Sequence, residues 1–458
     1  MKHFFTAIIA LFFAAQLLSA QDFYDIEYEV GAQPIAVFHH LEHGWFDVIC
    51  LGHDADFDGE YDEGEEAPSW WRVPTPDVPI KFDQLLGGGP EKLRDFEFGW
   101  LGVPGMPFRP AIDYSDGNGV MYISQNGRIT SYNMYSGEII DSAIARYDAS
   151  AVSKRGDELF ISVPGDDEDY VVVYDMSASA ATQLIKTGYH VQKTIPFEMN
   201  QMNYLAILNE GNFGVEGDSH LKIVRQADGG YEPVDDITLG EGGNYMTLSP
   251  DGDRIAIVMN GSHELIIFSL DEMAIDKRIA LPTDEYDGPR ECSFERGSDH
   301  VYVSSYSGKN FDVELDTEEI IEIDAKGKSE GIRYWEHITE GIIWCVQFQP
   351  GTYTPSNKVI IRAEILGVAQ DSENSALNIY PNPASDEFII ESNDIPTGNT
   401  QIRIVNNIGE VVHHSEFISN GSLNRRFSAE RLGLGAGHYI ISISGSGFDY
   451  SRSIIINK

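Results

Sequence analysis

Short apolar runs and polar turns alternate along most of this chain, with the spacing of strands. Glu158-Leu159-Phe160-Ile161-Ser162-Val163 is followed by Tyr170-Val171-Val172-Val173-Tyr174-Asp175. Leu248-Ser249-Pro250-Asp251-Gly252-Asp253 leads into Arg254-Ile255-Ala256-Ile257-Val258, and then into Glu264-Leu265-Ile266-Ile267-Phe268-Ser269-Leu270. Gly119-Val120-Met121-Tyr122-Ile123-Ser124 and His300-Val301-Tyr302-Val303-Ser304-Ser305 open further copies, with degenerate ones near Tyr204 and Gly341. β-branched and aromatic residues fill the runs, Gly, Asp, Asn and Pro separate them, and helical periodicity is scarce. The first strand of the unit recurs every ~40–50 residues, the period of four-stranded propeller blades. Units fall near residues 33–107, 108–148, 149–190, 191–242, 243–287, 288–327 and 328–366. One such sheet cannot bury both of its faces, whereas radial stacking does. The pattern therefore predicts an all-β chain: a β-propeller of about seven four-stranded blades, then a small antiparallel β-sandwich. Six or eight blades, or a pair of β-sandwiches, are the alternatives.

The turn Ser249-Pro250-Asp251-Gly252-Asp253 and the strand after it resemble YVTN-type propellers, a family of cell-surface and lactonase-like proteins. The resemblance implies the propeller fold for the middle of the chain and leaves the activity open. The first unit carries a long insertion, from about Asp54 to Pro107, and long loops are where function tends to lie.

The C-terminal segment has its own rhythm. It opens Leu377-Asn378-Ile379-Tyr380-Pro381-Asn382-Pro383, continues through Ile402-Arg403-Ile404-Val405 to Gly409, and reaches Leu434-Gly435-Ala436-Gly437-His438-Tyr439. It ends Ile454-Ile455-Ile456-Asn457-Lys458. These pieces resemble the type A C-terminal sorting domain of proteins exported by the type IX secretion system of Bacteroidota. The resemblance rests on Pro381, Asn382, Pro383, Gly409, Gly437, Tyr439 and Lys458. It implies the secretion machinery and its sortase as partners. It also implies removal of the domain, then surface attachment or release.

At the other end, Lys2 precedes an apolar run from Phe4 to Leu18, and Leu18-Ser19-Ala20 ends in small residues. That is the pattern of a secretory signal peptide, too short to span a membrane. The expected division is a signal peptide over 1–20, a propeller over 21–367, a linker over 368–375 and a sorting domain over 376–458. No transmembrane segment is expected. The protein is expected outside the cell or on the outer-membrane surface.

Composition narrows the partners. A net charge of −42 argues against nucleic acid and anionic membranes and favours solubility and cations. Three cysteines do not make a disulfide framework. Cys50 and Cys345 sit in apolar runs, and Cys292 follows a Gly-Pro turn. All three read as reduced packing residues, with a Cys50–Cys345 bridge open if the first and last units meet.

Three constellations could carry chemistry. His53-Asp54-Ala55-Asp56-Phe57-Asp58-Gly59-Glu60, continuing to Glu65, has the spacing of a calcium loop. Asp54, Asp56 and Asp58 would turn carboxylates toward one hard cation, Glu60 would offer its carbonyl, and Glu65 would chelate with both oxygens. The alternative is a solvated acidic turn. His39 and His43 share a strand face but lie about 13 Å apart along it, too far for one metal. Trp45, Trp70, Trp71 and Trp100 form an aromatic group that suits either a small core or a sugar-binding cleft. G-x-S-x-G, a phosphate loop and C-x-x-C are all absent from the sequence. The functional expectation is a secreted binding or scaffold module for an unknown extracellular ligand, a glycan or a protein, with calcium as its ion. The alternative is an extracellular enzyme, lactonase-like or polysaccharide-active, with polar side chains converging on the channel.

Overall fold

The computed structural model describes residues 23–40, 44–54, 64–75, 89–96, 101, 109–115, 119–165, 169–212, 214–215, 217–284, 286–336, 340–364, 377–382, 384–392, 395–406, 411–435, 437–445 and 448–456. Every helix or strand among them is a strand. The first, β1 (Phe23–Glu29), stands apart from the sheet that follows it in sequence. The first sheet is β2 (Pro34–His40), β3 (Trp45–Cys50), β4 (Ser69–Pro74) and β5 (Glu91–Asp95). The second is β6 (Ala111–Asp113), β7 (Val120–Gln125), β8 (Arg128–Asn133) and β9 (Ile139–Ala145). The third is β10 (Ala151–Arg155), β11 (Glu158–Val163), β12 (Asp169–Asp175) and β13 (Ala180–Gly188). The fourth is β14 (Val191–Met199), β15 (Met202–Asn209), β16 (Ser219–Ala227) and β17 (Gly230–Gly240). The fifth is β18 (Gly243–Leu248), β19 (Arg254–Met259), β20 (Glu264–Ser269) and β21 (Ala274–Ala280). The sixth is β22 (Pro289–Phe294), β23 (His300–Ser305), β24 (Lys309–Glu314) and β25 (Ile320–Asp324). The seventh is β26 (Lys328–Glu336), β27 (Glu340–Phe348) and β28 (Pro355–Glu364), completed by β1 on its outer edge.

Burial explains the two kinds of strand in the sequence. Leu265 to Phe268 of β20 are buried at every position, so both faces of that strand are covered. Its edge neighbour β21 alternates instead. Seven apolar clusters fill the spaces between successive sheets. Trp70 of the first sheet packs edge-on against Tyr132 of the second, and Leu208 and Ile223 of the fourth join Ile257 and Phe268 of the fifth. The seventh cluster joins the last sheet to the first, through Trp335, Cys345 and Ile361 against Val37, Phe46 and Cys50. β26 runs close to β2 there: a Cβ on Gly331 would meet the Ile35 carbonyl at 2.6 Å. β1 pairs antiparallel with β28, Ile26 opposite Ile361, which ties the two ends of this region together.

Two points differ from the sequence reading. The stretch taken as an insertion, residues 54–107, supplies β4 and β5, half of the first sheet. Its Trp70-Trp71-Arg72-Val73 run reads as an aromatic group, yet it is a strand. Residues 21–32 were assigned to no unit, and β1 within them belongs to the seventh sheet. The cysteines are free and buried, Cys50 and Cys345 in the same cluster. Burial raises the thiol pKa of all three, which keeps them inert.

The C-terminal segment has two antiparallel sheets. One is β29 (Asn378–Tyr380), β30 (Glu387–Ser392) and β33 (Leu423–Ser428). The other is β32 (Val411–Ser419), β31 (Gly398–Asn406), β34 (Gly437–Gly445) and β35 (Phe448–Ile456). They share one core that includes Phe388, Ile390, Ile402, Ile404, Ile441 and Ile454.

Candidate functional site

The first strand of each of the first six sheets and β26 of the seventh neighbour one another in turn, with β2 and β6 meeting through Ile35, Ala36 and Ile112. Five of these inner strands carry a bulge near their start. The ladder skips Ile35 in β2, Gln192 in β14 and Asn244 in β18. It skips Arg290 and Glu291 in β22, and Glu330 and Gly331 in β26. An extra residue bends a strand and re-aims the side chains beside it. Here the bulges bring charged side chains from strands far apart in sequence into one cluster.

Arg109, just before β6, stands at its centre. Its Nε lies 3.2 Å from Glu291 Oε1 and its Nη2 3.3 Å from Glu330 Oε1. Arg290 Nε donates to Glu330 Oε2 at 2.8 Å, and Arg333 Nη1 donates to Glu291 Oε2 at 3.0 Å. Arg333 Nη2 also donates to the Tyr245 hydroxyl at 2.7 Å. Arg109, Glu291 and Glu330 are 4, 0 and 3% exposed, so these charges are screened by one another and hardly by water.

Lys193 of β14 is the exception. Its Nζ sits 3.5 Å from the centre of the Tyr245 ring, a cation–π contact, and it forms no ion pair among the described residues. It lines a cavity of about 290 Å³, and its side chain is half-buried. All seven inner strands or the residues leading into them line that cavity, from Ala36 and Phe38 to Glu291 and Arg333. Burial pushes the Lys193 pKa well below its ordinary value, and the Arg333 charge lowers it further against the opposing pull of Glu291. For Glu330, burial alone would raise the pKa, but Arg290 and Arg109 hold it below the usual carboxylate value. At one mouth Lys154 Nζ donates to Asp113 Oδ2 at 2.6 Å.

A second cavity, of about 280 Å³, lies between the sixth and seventh sheets. In it His300 Nδ1 is 2.8 Å from Asp312 Oδ1, with Glu295 and Tyr334 nearby. Burial opposes protonation of His300, but the bond to Asp312 wins and raises its pKa.

The residues singled out in the sequence fall elsewhere. Asp54 is buried at 7% exposure and Glu65 is described, whereas Asp56, Asp58 and Glu60 lie outside the described residues. The two ends of that loop meet in a bridge between His53 and Glu66, with N···O distances of 2.7 and 2.9 Å. His39 packs on Phe46 and Trp335, with His43 outside the described residues. Trp45 and Trp70 are core residues whose indole N–H groups both donate to buried Asp47, at 3.3 and 2.8 Å. Burial outweighs Arg72 and raises the Asp47 pKa to about 6. Trp100 is outside the described residues. In the C-terminal sheets Pro381 and Asn382 are exposed, Gly437 begins β34, and Tyr439 is buried with its hydroxyl donating to the Gly435 carbonyl at 3.2 Å. Pro383, Gly409 and Lys458 lie outside the described residues, as do the signal-peptide and linker stretches.

Residues 378–457 match the secretion system C-terminal sorting domain family. That domain supports export by the type IX secretion system, interaction with its machinery, and delivery to the cell surface or the extracellular space. Comparison with curated proteins finds no match to the chain. No helix among the described residues is long and apolar enough to cross a membrane.

Proposed function

We propose that the cargo of this sorting domain is a seven-bladed β-propeller that acts as an extracellular binding module, with its ligand taken in the cavity on the propeller axis. Support for the blades comes from seven four-stranded sheets in chain order, an apolar cluster between each successive pair, and β1 joining the last sheet. The observation that carries the binding reading is the cavity wall. Every blade contributes to it, and it holds an ammonium that no carboxylate of the described chain neutralises. The enzyme alternative draws less from the axis, because both carboxylate oxygens of Glu330 are engaged by Arg109 and Arg290. It rests instead on the His300–Asp312 pair in the second cavity.

A thermal-shift screen of the secreted protein against neutral, cationic and anionic small molecules tests the axial site. Stabilising ligands are expected, and Phe38→Trp, which fills the cavity and keeps an aromatic ring beside Arg333, should abolish their effect. Hits that survive Phe38→Trp, or no hits in any class, would sink the reading.

In the same reading the loop from Asp54 through Asp56, Asp58 and Glu60 to Glu65 holds a structural calcium ion. Its ends are already clamped by the His53–Glu66 bridge, and Asp54 is buried beside them. Chelation is expected to lower the melting temperature by about 2–4 °C, with calcium restoring it and magnesium not. An unchanged melt after chelation leaves the loop a solvated acidic turn.

A further inference from the structure

We infer that the axial cavity is a site for a small organic acid, a single carboxylate carried on a compact apolar body. This rests on the reading of the cavity as the ligand site and names the ligand's chemistry.

The wall is divided. The first three inner strands and the residues leading into them bring Ala36, Phe38, Pro110, Ala111, Ile112 and Val152, with Ser153 and two cations that are already paired, Arg109 with Glu291 and Glu330 and Lys154 with Asp113. The next four bring Lys193, Thr194, Tyr245, Glu291 and Arg333. The apolar side chains of the wall are therefore gathered on one arc, whose cations are paired, and the opposite arc is polar and cationic, an arrangement that suits an amphipathic guest. On the cationic arc the arginines are engaged: Arg109 and Arg333 hold Glu291, and Arg109 and Arg290 hold Glu330. Lys193 has only the ring face of Tyr245. Arg333 reaches the hydroxyl of the same tyrosine, so Lys193 and Arg333 flank one aromatic side chain. A single carboxylate placed there meets the ammonium that lacks a counter-charge and the edge of a guanidinium.

Size and charge exclude the neighbours of this class. A cavity of about 290 Å³ takes one compact group inside it, a ring or a short chain, rather than several sugar or peptide units. Inorganic phosphate would bring a dianion to one unpaired ammonium and leave Phe38 and Ile112 without a partner. A cation would add to a cluster that already contains Arg109, Lys193, Arg290 and Arg333 against Glu291 and Glu330. The chain as a whole carries −42, so this excess of positive charge is local to the axis.

The carboxylate also changes the state of Lys193. Without it, burial and the Arg333 charge lower the Lys193 pKa. With it, the ammonium gains a close counter-charge that raises the pKa again, so any amine that was neutral takes up a proton on binding. The charged or titratable groups around Lys193 are Tyr245, Arg333, Arg109, Glu291 and Cys292. Of these, Tyr245 and Cys292 have their pKa values raised by burial and stay neutral near pH 7.

The test is calorimetry on the secreted full-length protein at pH 7, with benzoate, benzyl alcohol, benzylammonium and inorganic phosphate as probes. Benzoate is expected to bind at one site, at least about tenfold tighter than the alcohol. Its heat should differ between buffers of different ionisation enthalpy, by the amount that proton uptake requires. Lys193→Met should weaken benzoate at least about tenfold and leave benzyl alcohol unchanged. The same variant should melt at or above the wild-type temperature, because it removes a desolvated amine. The folded-state pKa of Lys193 lies below its unfolded value, so between the two the unfolded chain holds more protons and wild-type stability rises with pH. The gap between variant and wild type should therefore narrow as pH rises toward the ordinary lysine value. Alcohol or benzylammonium binding as tightly as benzoate would overturn the acid class. Phosphate binding more tightly than benzoate would overturn the apolar body. No binding by any probe would overturn the class as well. A destabilised Lys193→Met would overturn the unpaired ammonium. Failure of the underlying site reading is read separately, from ligands that survive Phe38→Trp.

Discussion

Replacing Arg109 with methionine is expected to lower the free energy of unfolding by about 3–5 kcal/mol. The side chain is almost fully buried and bridges two carboxylates, Glu291 on β22 and Glu330 on β26. Methionine fills most of its volume, so the loss is not chiefly one of packing. It comes from leaving Glu291 with Arg333, and Glu330 with Arg290 and the Tyr306 hydroxyl, in a place that water hardly reaches. Lysine at the position should recover only a fraction, because one ammonium lacks the planar fork that serves two carboxylates at 3.2 and 3.3 Å. Adding Glu330→Gln to Arg109→Met should restore part of the stability, since it removes one of the underpaired charges. Urea denaturation of the secreted protein reads all three. A loss below about 1 kcal/mol for Arg109→Met would mean that the cluster is open to water.

Much of the fold was legible because burial on both faces leaves a local mark. Leu159-Phe160-Ile161 and Val171-Val172-Val173 are apolar at consecutive positions because a neighbouring sheet covers each side. Each of the seven repeat units contains one four-stranded sheet or most of one. β1 was missed because it alternates polar and apolar residues beside no partner in sequence; its partner β28 is more than 300 residues away. β4 and β5 were missed because charged loops separate them from β3, and Glu91-Lys92-Leu93-Arg94-Asp95 has no apolar pattern of its own.

The candidate site was not legible, for a different reason. Most of the inner strands that carry a charge contribute one or two, and Arg109, Lys193, Glu291, Glu330 and Arg333 belong to four separate strands or the residues leading into them. No spacing connects them until the sheets are stacked. Near the start of a strand each one also looks like an ordinary turn residue. The signal that was available is local and weak: a charge at the entry of an otherwise apolar run, as in Gly288-Pro289-Arg290-Glu291-Cys292. Such a charge belongs in solvent unless a bulge turns it inward, and bulges are not visible in residue types alone. The sorting segment was the opposite case, since its features lie close together along one stretch of chain and can be read in order.

A chain ending at Ser375 is expected to fold and to remain inside the cell envelope, with export to the surface or medium abolished. The sorting match occupies residues 378–457, and the core of that segment draws on residues 377 to 456 only. Among the described residues, none of the seven inter-sheet clusters includes a residue from it. Its removal is therefore expected to leave those clusters intact, and the melting temperature of the seven sheets should stay within about 1–2 °C of the full chain. That separation matters, because a truncated protein that misfolds would also fail to appear outside, for a trivial reason. A melt of the retained protein, purified from the envelope, distinguishes the two causes. The reciprocal arm is a passenger with a signal peptide fused to residues 376–458, which should reach the surface or the medium in a host that has the type IX machinery. It should stay behind in the same host lacking that machinery. Normal export of the chain ending at Ser375 would show that the address lies within the seven sheets, and the C-terminal sandwich would then need another role.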